Sequence, residues 1–152
     1  MPAAWRIVRD KYGDSAFTGE GAARTGGRWN TKGARVVYAS ETRALAILET
    51  LVHLNPPVVF YYKIFRMSFH EKLVEELDRR RLPGSWRSLP VAPTTQFLGD
   101  QWLRQERSAI LKVPSIVVPE EFNYLFNPAH GDFKRLEMEA PVDFIFDPRL
   151  MK

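Results

Sequence analysis

The sequence contains no cysteine, so neither a disulfide framework nor a thiolate metal site is available to it. Its three histidines, His53, His70 and His130, are too scattered for the His-x-x-x-His spacing of a zinc helix, and no metal is expected. No apolar run approaches the roughly 20 residues that cross a bilayer. The opening Met1-Pro2-Ala3-Ala4-Trp5-Arg6 lacks the apolar stretch of a secretory leader, so a soluble cytoplasmic protein is expected. Charge of one sign is also short, with 22 basic residues against 18 acidic ones. A net +4 suits an anionic small molecule, an acidic partner or a polynucleotide equally well. Three signatures are missing as well. There is no Gly-x-x-x-x-Gly-Lys-Ser/Thr loop, no Gly-x-Gly-x-x-Gly after a strand, and no Gly-x-Ser-x-Gly elbow.

What is present is a globular composition, 45% hydrophobic and 12% aromatic over 152 residues. That length suits one domain with a sizeable core, so a single domain over 1–152 is expected. Residues 5–9 alternate as a strand, and 10–31 form a glycine-rich polar loop. Residues 35–39 (RVVYA) form a short strand, and Ser40 is placed to cap a helix running to about Leu54, ahead of Pro56-Pro57. Residues 58–67 read as a central strand. The stretch 71–78 looks helical, with Arg79–Arg81 opposing its negative end. After a proline-rich connection at 82–93, Thr94 or Thr95 can cap a helix to about Glu106. Two short apolar runs flank Pro114, residues 122–132 look turn-rich, and 134–139 with 142–146 suggest a final hairpin. Strands mixed with two or three helices, without regular β-α-β alternation, point to the α+β class.

Glu49 stands out on geometry. On the helical wheel Leu45, Leu48, Leu51 and Val52 make the apolar stripe, and Glu49 falls about 40° beyond Leu45, at its edge. A carboxylate there borders core and solvent, as a cleft-lining acid would; a glutamate reaching solvent or pairing with a basic neighbour is the alternative. In Thr25-Gly26-Gly27-Arg28-Trp29-Asn30 the paired glycines allow close backbone approach to a ligand, and Arg28 supplies a permanently charged fork suited to phosphate. A bare turn would look the same. Tyr38 ends its strand and can face a cleft or the core. Ser115 follows Val113-Pro114, where the proline can re-aim its side chain. His130 is expected to fix a turn.

Read in order, Gly-Gly27-Arg28-Trp-Asn, Val-Val-Tyr38-Ala-Ser, Ala44-Leu-Ala-Ile-Leu-Glu49, Gly99-Asp-Gln-Trp102, Val113-Pro-Ser115 and Val118-Pro-Glu-Glu-Phe-Asn123-Tyr-Leu-Phe-Asn-Pro-Ala-His130 resemble the RES domain. The resemblance spans nearly the whole chain. It implies a fold similar to the ADP-ribosyltransferase toxins, a split β core with a few flanking helices and NAD⁺ in its cleft. It implies the toxin half of a toxin–antitoxin pair that degrades NAD⁺ at the nicotinamide–ribose bond, by hydrolysis or phosphorolysis. It further implies an antitoxin with an Xre-like helix-turn-helix domain that blocks the active site and alone contacts DNA, in a complex where the toxin is a dimer. Carried onto this chain, it makes Arg28, Tyr38, Glu49 and Ser115 the catalytic set. Gly27 and Asn123 join them around NAD⁺, and Asn123, Asn127 and His130 brace the site. Transfer of ADP-ribose to a cellular protein is the alternative reaction, and a nucleic-acid-binding module is a more distant one.

Overall fold

The computed structural model describes residues 1–54 and 61–151. Strand β1, Ala3–Arg9, pairs antiparallel along its full length with β3, Tyr62–Ser68. The expected strand at 58–67 therefore starts, within the described residues, at Tyr62; its first residues, 58–60, lie outside them. Strand β2, Val37–Ser40, pairs with β6, Phe122–Phe126, which pairs in turn with β5, Ile110–Pro114. Strand β4, Val74–Glu76, lies parallel to β5, and helix α3, Pro93–Gln105, connects the two. Strands β7, Glu137–Met138, and β8, Val142–Phe144, both pair with β3. Helices α1, Glu20–Thr25, and α2, Arg43–Leu51, complete the α+β fold.

The eight strands form one sheet in the order β4-β5-β6-β2-β1-β3-β7, with β8 also on β3. Its two halves meet where β1 and β2 share a single register pair, Trp5 with Ser40. Arg6 fills this seam: its Nε donates to Ala16 O at 2.8 Å and its Nη1 to Tyr38 O at 2.8 Å. Burial of that guanidinium lowers its pKa to about 10. One sheet face packs Ala4, Val37, Phe65, Met67 and Phe126 under Phe69, Leu73 and Leu136. On the other, Leu111, Val113 and Leu125 pack beneath Trp29 and the α3 residues Leu98 and Trp102. The second face, the one carrying Tyr38 and Ser40, holds the candidate site.

Several expectations are corrected. Ser40 does not cap α2; it is buried in β2, and Thr42 is the cap, accepting from Leu45 N at 3.0 Å. The helix ends at Leu51. On α2 only Leu45 and Ala46 are buried, while Leu48 and Val52 are exposed, so the apolar stripe is narrower than the wheel suggested. The 71–78 segment is a 3₁₀ turn, Glu71–Leu73, followed by β4, because Leu73 and Leu77 enter different cores. Arg79–Arg81 form a 3₁₀ turn capped by the Asp78 carboxylate, not a helix end. Residues 10–31 hold a 3₁₀ turn, Asp10–Ser15, and α1. Neither Thr94 nor Thr95 caps α3; Ala92 precedes it, with Pro93 in its first turn. Residues 122–126, read as turn-rich, form β6 at the middle of its half-sheet. The final hairpin is absent: β7 and β8 run in the same direction along the β3 edge and do not pair with each other.

Candidate active site

Alternation along β2 sends Tyr38 and Ser40 to the same face, and the register with β6 sets Ser40 beside Asn123. Tyr38 is pinned by its hydroxyl, which donates to Asn30 Oδ1 at 2.6 Å and accepts from Trp29 N at 3.1 Å. Asn30 is fully buried, and its amide donates to Ala22 O, Thr31 O and Ala34 O. The Gly27–Asn30 turn is thus tied to the strand below it. Gly27 has to be glycine, since a Cβ there would lie 2.9 Å from the Tyr38 hydroxyl. Burial raises the Tyr38 pKa well above its ordinary value, so the phenol stays neutral.

Arg28 leaves this turn toward the connection before α3. Its Nη1 donates to Ser88 O at 2.7 Å and, less closely, to Trp86 O at 3.3 Å. Its Nε is buried with no acceptor among the described residues. Desolvation lowers its pKa, while the charge of Glu49 opposes that shift. Arginine stays protonated in any case. One corner of the fork is therefore fixed by protein, and the Nε edge still needs an acceptor.

Helix α2 lies across β1 and β2 and brings Glu49 over Asn123. Asn123 Nδ2 donates to Glu49 Oε2, and Asn123 Oδ1 accepts from Ser40 Oγ at 2.7 Å. Desolvation raises the Glu49 pKa; the Asn123 hydrogen bond, and the His53 and Arg28 charges, moderate the rise. A half-buried carboxylate held by Asn123 thus lies within electrostatic reach of the Arg28 guanidinium, which is anchored on the connection before α3.

Ser115 is placed differently. It is fully buried, and its Oγ accepts from Val117 N at 3.0 Å and Val118 N at 3.1 Å, which ties the turn after β5 to itself. Asn127 and His130 lie beyond the opposite end of β6 from Asn123. Asn127 Oδ1 accepts from Ala129 N, and His130 Nδ1 accepts from Asp132 N, so both fix turns rather than brace Glu49. His130 fixes a turn as expected.

The RES-domain family model matches residues 3–147. The chain belongs to the RES-domain family. A protein named Toxin Res from Yersinia enterocolitica is 40% identical over 148 residues, covering 96% of this chain and 97% of that protein. A protein named Prs ADP-ribosylating toxin from a Sphingobium species is 38% identical over 156 residues, covering 97% and 96%. In three dimensions the chain is similar to the crystal structure of the M. tuberculosis MbcT–MbcA toxin–antitoxin complex. The TM-score is 0.71 at 14% identity, over 99% of this chain and 86% of that one, a likeness of fold.

In this RES domain Gly27 packs on Tyr38, Asn123 bonds Glu49, and Glu49 and Arg28 interact through their charges, while Ser115 lies at a buried turn. The geometry also brings in α3 residues given no role from sequence. Gln96 Nε2 donates to Gly27 O at 3.0 Å and Asn30 O at 3.2 Å. The Asp100 carboxylate accepts from Thr31 N at 3.1 Å and Thr31 Oγ1 at 2.6 Å. Between them Gly99 lets the Trp29 carbonyl rest on the helix, since a Cβ there would lie 1.7 Å from Trp29 O. Helix α3 therefore grips both sides of Arg28. The visible signal was the Gly99-Asp-Gln-Trp102 match, with a polar Gln96 one turn earlier.

Proposed function

We propose that this RES domain is the toxin of a toxin–antitoxin system and acts by cleaving the nicotinamide–ribose bond of NAD⁺. The observation that carries this reading is the pairing of Glu49, a half-buried carboxylate, with Arg28, a half-anchored guanidinium whose charge reaches it. In the reaction the C1′–N bond breaks and its electron pair returns to the pyridinium nitrogen, so nicotinamide leaves neutral. The ribose acquires oxocarbenium character, as in glycoside cleavage. Glu49, as its carboxylate, stabilises that charge and holds a ribose hydroxyl. Arg28, held at Nη1 by Ser88 O, offers its guanidinium charge to the pyrophosphate, a charge-assisted contact. With its hydroxyl committed to the Gly27–Asn30 turn, Tyr38 contributes ring surface against nicotinamide and not a proton. Gly27 lets the turn close down on the Tyr38 hydroxyl, in place of a direct ligand contact, and Asn123 orients the carboxylate. Ser115 supports the site by holding its own turn, in place of the catalytic role that the resemblance implies.

Water as the attacking group gives ADP-ribose, and phosphate gives ADP-ribose-1″-phosphate. A protein side chain as acceptor gives ADP-ribosylation, a second reading favoured by the printed name of the Sphingobium relative. The proposed partner is an antitoxin, as the toxin–antitoxin complex among the structural neighbours suggests, and the family resemblance gives it an Xre-like helix-turn-helix domain. It would block the cleft and make the DNA contacts, with a dimeric toxin in the cytoplasm. Among the described residues no helix is long and apolar enough to cross a membrane. Mass spectrometry of the products, with and without phosphate and with cell extract, tests the reading. Free nicotinamide with ADP-ribose, its phosphate ester or a mass-shifted protein names the acceptor; intact NAD⁺ under all three conditions would refute it.

A further inference from the structure

We propose that Ser40 is a positioning residue for Glu49: its hydroxyl fixes the Asn123 carboxamide so that the amide N–H stays aimed at the carboxylate. This rests on the reading that Glu49 works as a carboxylate at the site. Ser40 ends β2 with 3% exposure, directly across from Asn123 with 8% exposure. It has no capping duty, since Thr42 caps α2. Its Oγ donates to Asn123 Oδ1 at 2.7 Å, and Asn123 Nδ2 donates to Glu49 Oε2.

The direction of this chain follows from what each group can do. A carboxylate only accepts, so the amide must present Nδ2 to it and turn Oδ1 toward Ser40. Buried there, Oδ1 requires a donor, and the Ser40 hydroxyl is that donor. Each bond polarises the next, so the hydroxyl strengthens a contact it does not make itself. The charged groups facing Glu49 are Arg28 from the Gly27–Asn30 turn and His53 from beyond the end of α2. Neither bonds to Ser40, so removing its hydroxyl leaves both charges in place. In Ser40→Ala, Oδ1 loses its donor, the amide relaxes, and Glu49 keeps its desolvation while losing a fixed N–H. The carboxyl then holds its proton to higher pH.

The test is a ¹³C NMR titration of side-chain carboxyls in glutamate-labelled protein, with Glu49 identified by the signal lost in Glu49→Gln. In the wild-type protein the Asn123 side-chain amide resonances should titrate together with Glu49. Ser40→Ala should move the Glu49 midpoint up by roughly half a unit to one unit, and the acid limb of nicotinamide release by the same amount with KM little changed. In an Asn123→Ala background the same substitution should move neither. An Asn123 amide that ignores the Glu49 titration would overturn the proposal, and this reading needs no Ser40 variant to fold. An unmoved midpoint in Ser40→Ala, or an equal shift without Asn123, would overturn it too. The titration requires no turnover. A protein that shifts as stated but leaves NAD⁺ intact would refute the proposed activity and leave the role of Ser40 standing.

Discussion

Gly99→Ala perturbs the site without touching any residue that would meet a ligand. The new methyl would lie 1.7 Å from Trp29 O, 2.7 Å from Trp29 C and 3.0 Å from Trp29 Cβ, and two of those three atoms are backbone. No rotamer relieves such an overlap, so α3 and the 29–31 backbone must part by more than about 1 Å to reach ordinary contact. That motion stretches the Gln96 bonds to Gly27 O and Asn30 O beyond hydrogen-bonding range, and the Asp100–Thr31 N bond with them. Overpacking costs roughly 1–3 kcal/mol, and each lost bond adds about 1 kcal/mol. A destabilisation of about 4–6 kcal/mol follows, a large share of a typical domain's stability. Urea unfolding followed by tryptophan fluorescence reads it as a lowered midpoint. Because Arg28 rides on the displaced segment, turnover per folded molecule should fall roughly 100-fold at a temperature where the variant is folded. Gly21→Ala is the control: nothing lies within 4 Å of its Cβ in α1, and it should be neutral or stabilise by up to about 1 kcal/mol. A wild-type midpoint in Gly99→Ala would refute the packing argument. A lowered midpoint with full turnover per folded molecule would refute the idea that α3 positions Arg28.

Arg28→Ala should cost roughly 2–4 kcal/mol in kcat/KM, the range for a preorganised charged contact, and Arg28→Lys should not restore it, because one ammonium cannot hold Ser88 O and a ligand in a fork. Glu49→Gln should raise Tm at pH 7 and leave it unchanged near pH 4. The Glu49 pKa in the folded protein lies above its unfolded value, so its favourable contribution is present at acid pH and fades as pH rises through the folded pKa. Equal melting temperatures at pH 7 would contradict that sign. Ser115→Ala should lower stability by about 1–3 kcal/mol in urea titrations, since two part-buried backbone N–H groups lose their acceptor. Unchanged stability would mean that Ser115 does not hold its turn.

Much of the site was legible because its residues have conspicuous local chemistry. Glu49 betrayed itself by its place beside Leu45 on the wheel, and the paired glycines marked the turn that carries Arg28. What the sequence concealed depends on distant partners. Phe122–Phe126 carries apolar residues on both faces because both are covered, so it lacks the alternation of a half-exposed strand, and its flanking Pro and Asn suggested turns. Residues 71–78 have helical composition, yet pairing with β5 and the demands of two separate cores override it. Ser40 looked like a cap because hydroxyls cap helices; its burial opposite Asn123 is a property of strand register, which no local pattern encodes. Gly99 is required only because Trp29, seventy positions earlier in the chain, lies against it.

The central claim is that Glu49 drives release of nicotinamide from NAD⁺, and nicotinamide formation by matched, folded samples of wild type and Glu49→Gln tests it most directly. Wild-type protein should release nicotinamide, and Glu49→Gln should do so at least about 100-fold more slowly with an unchanged circular dichroism spectrum. Equal rates from the two proteins would contradict the account.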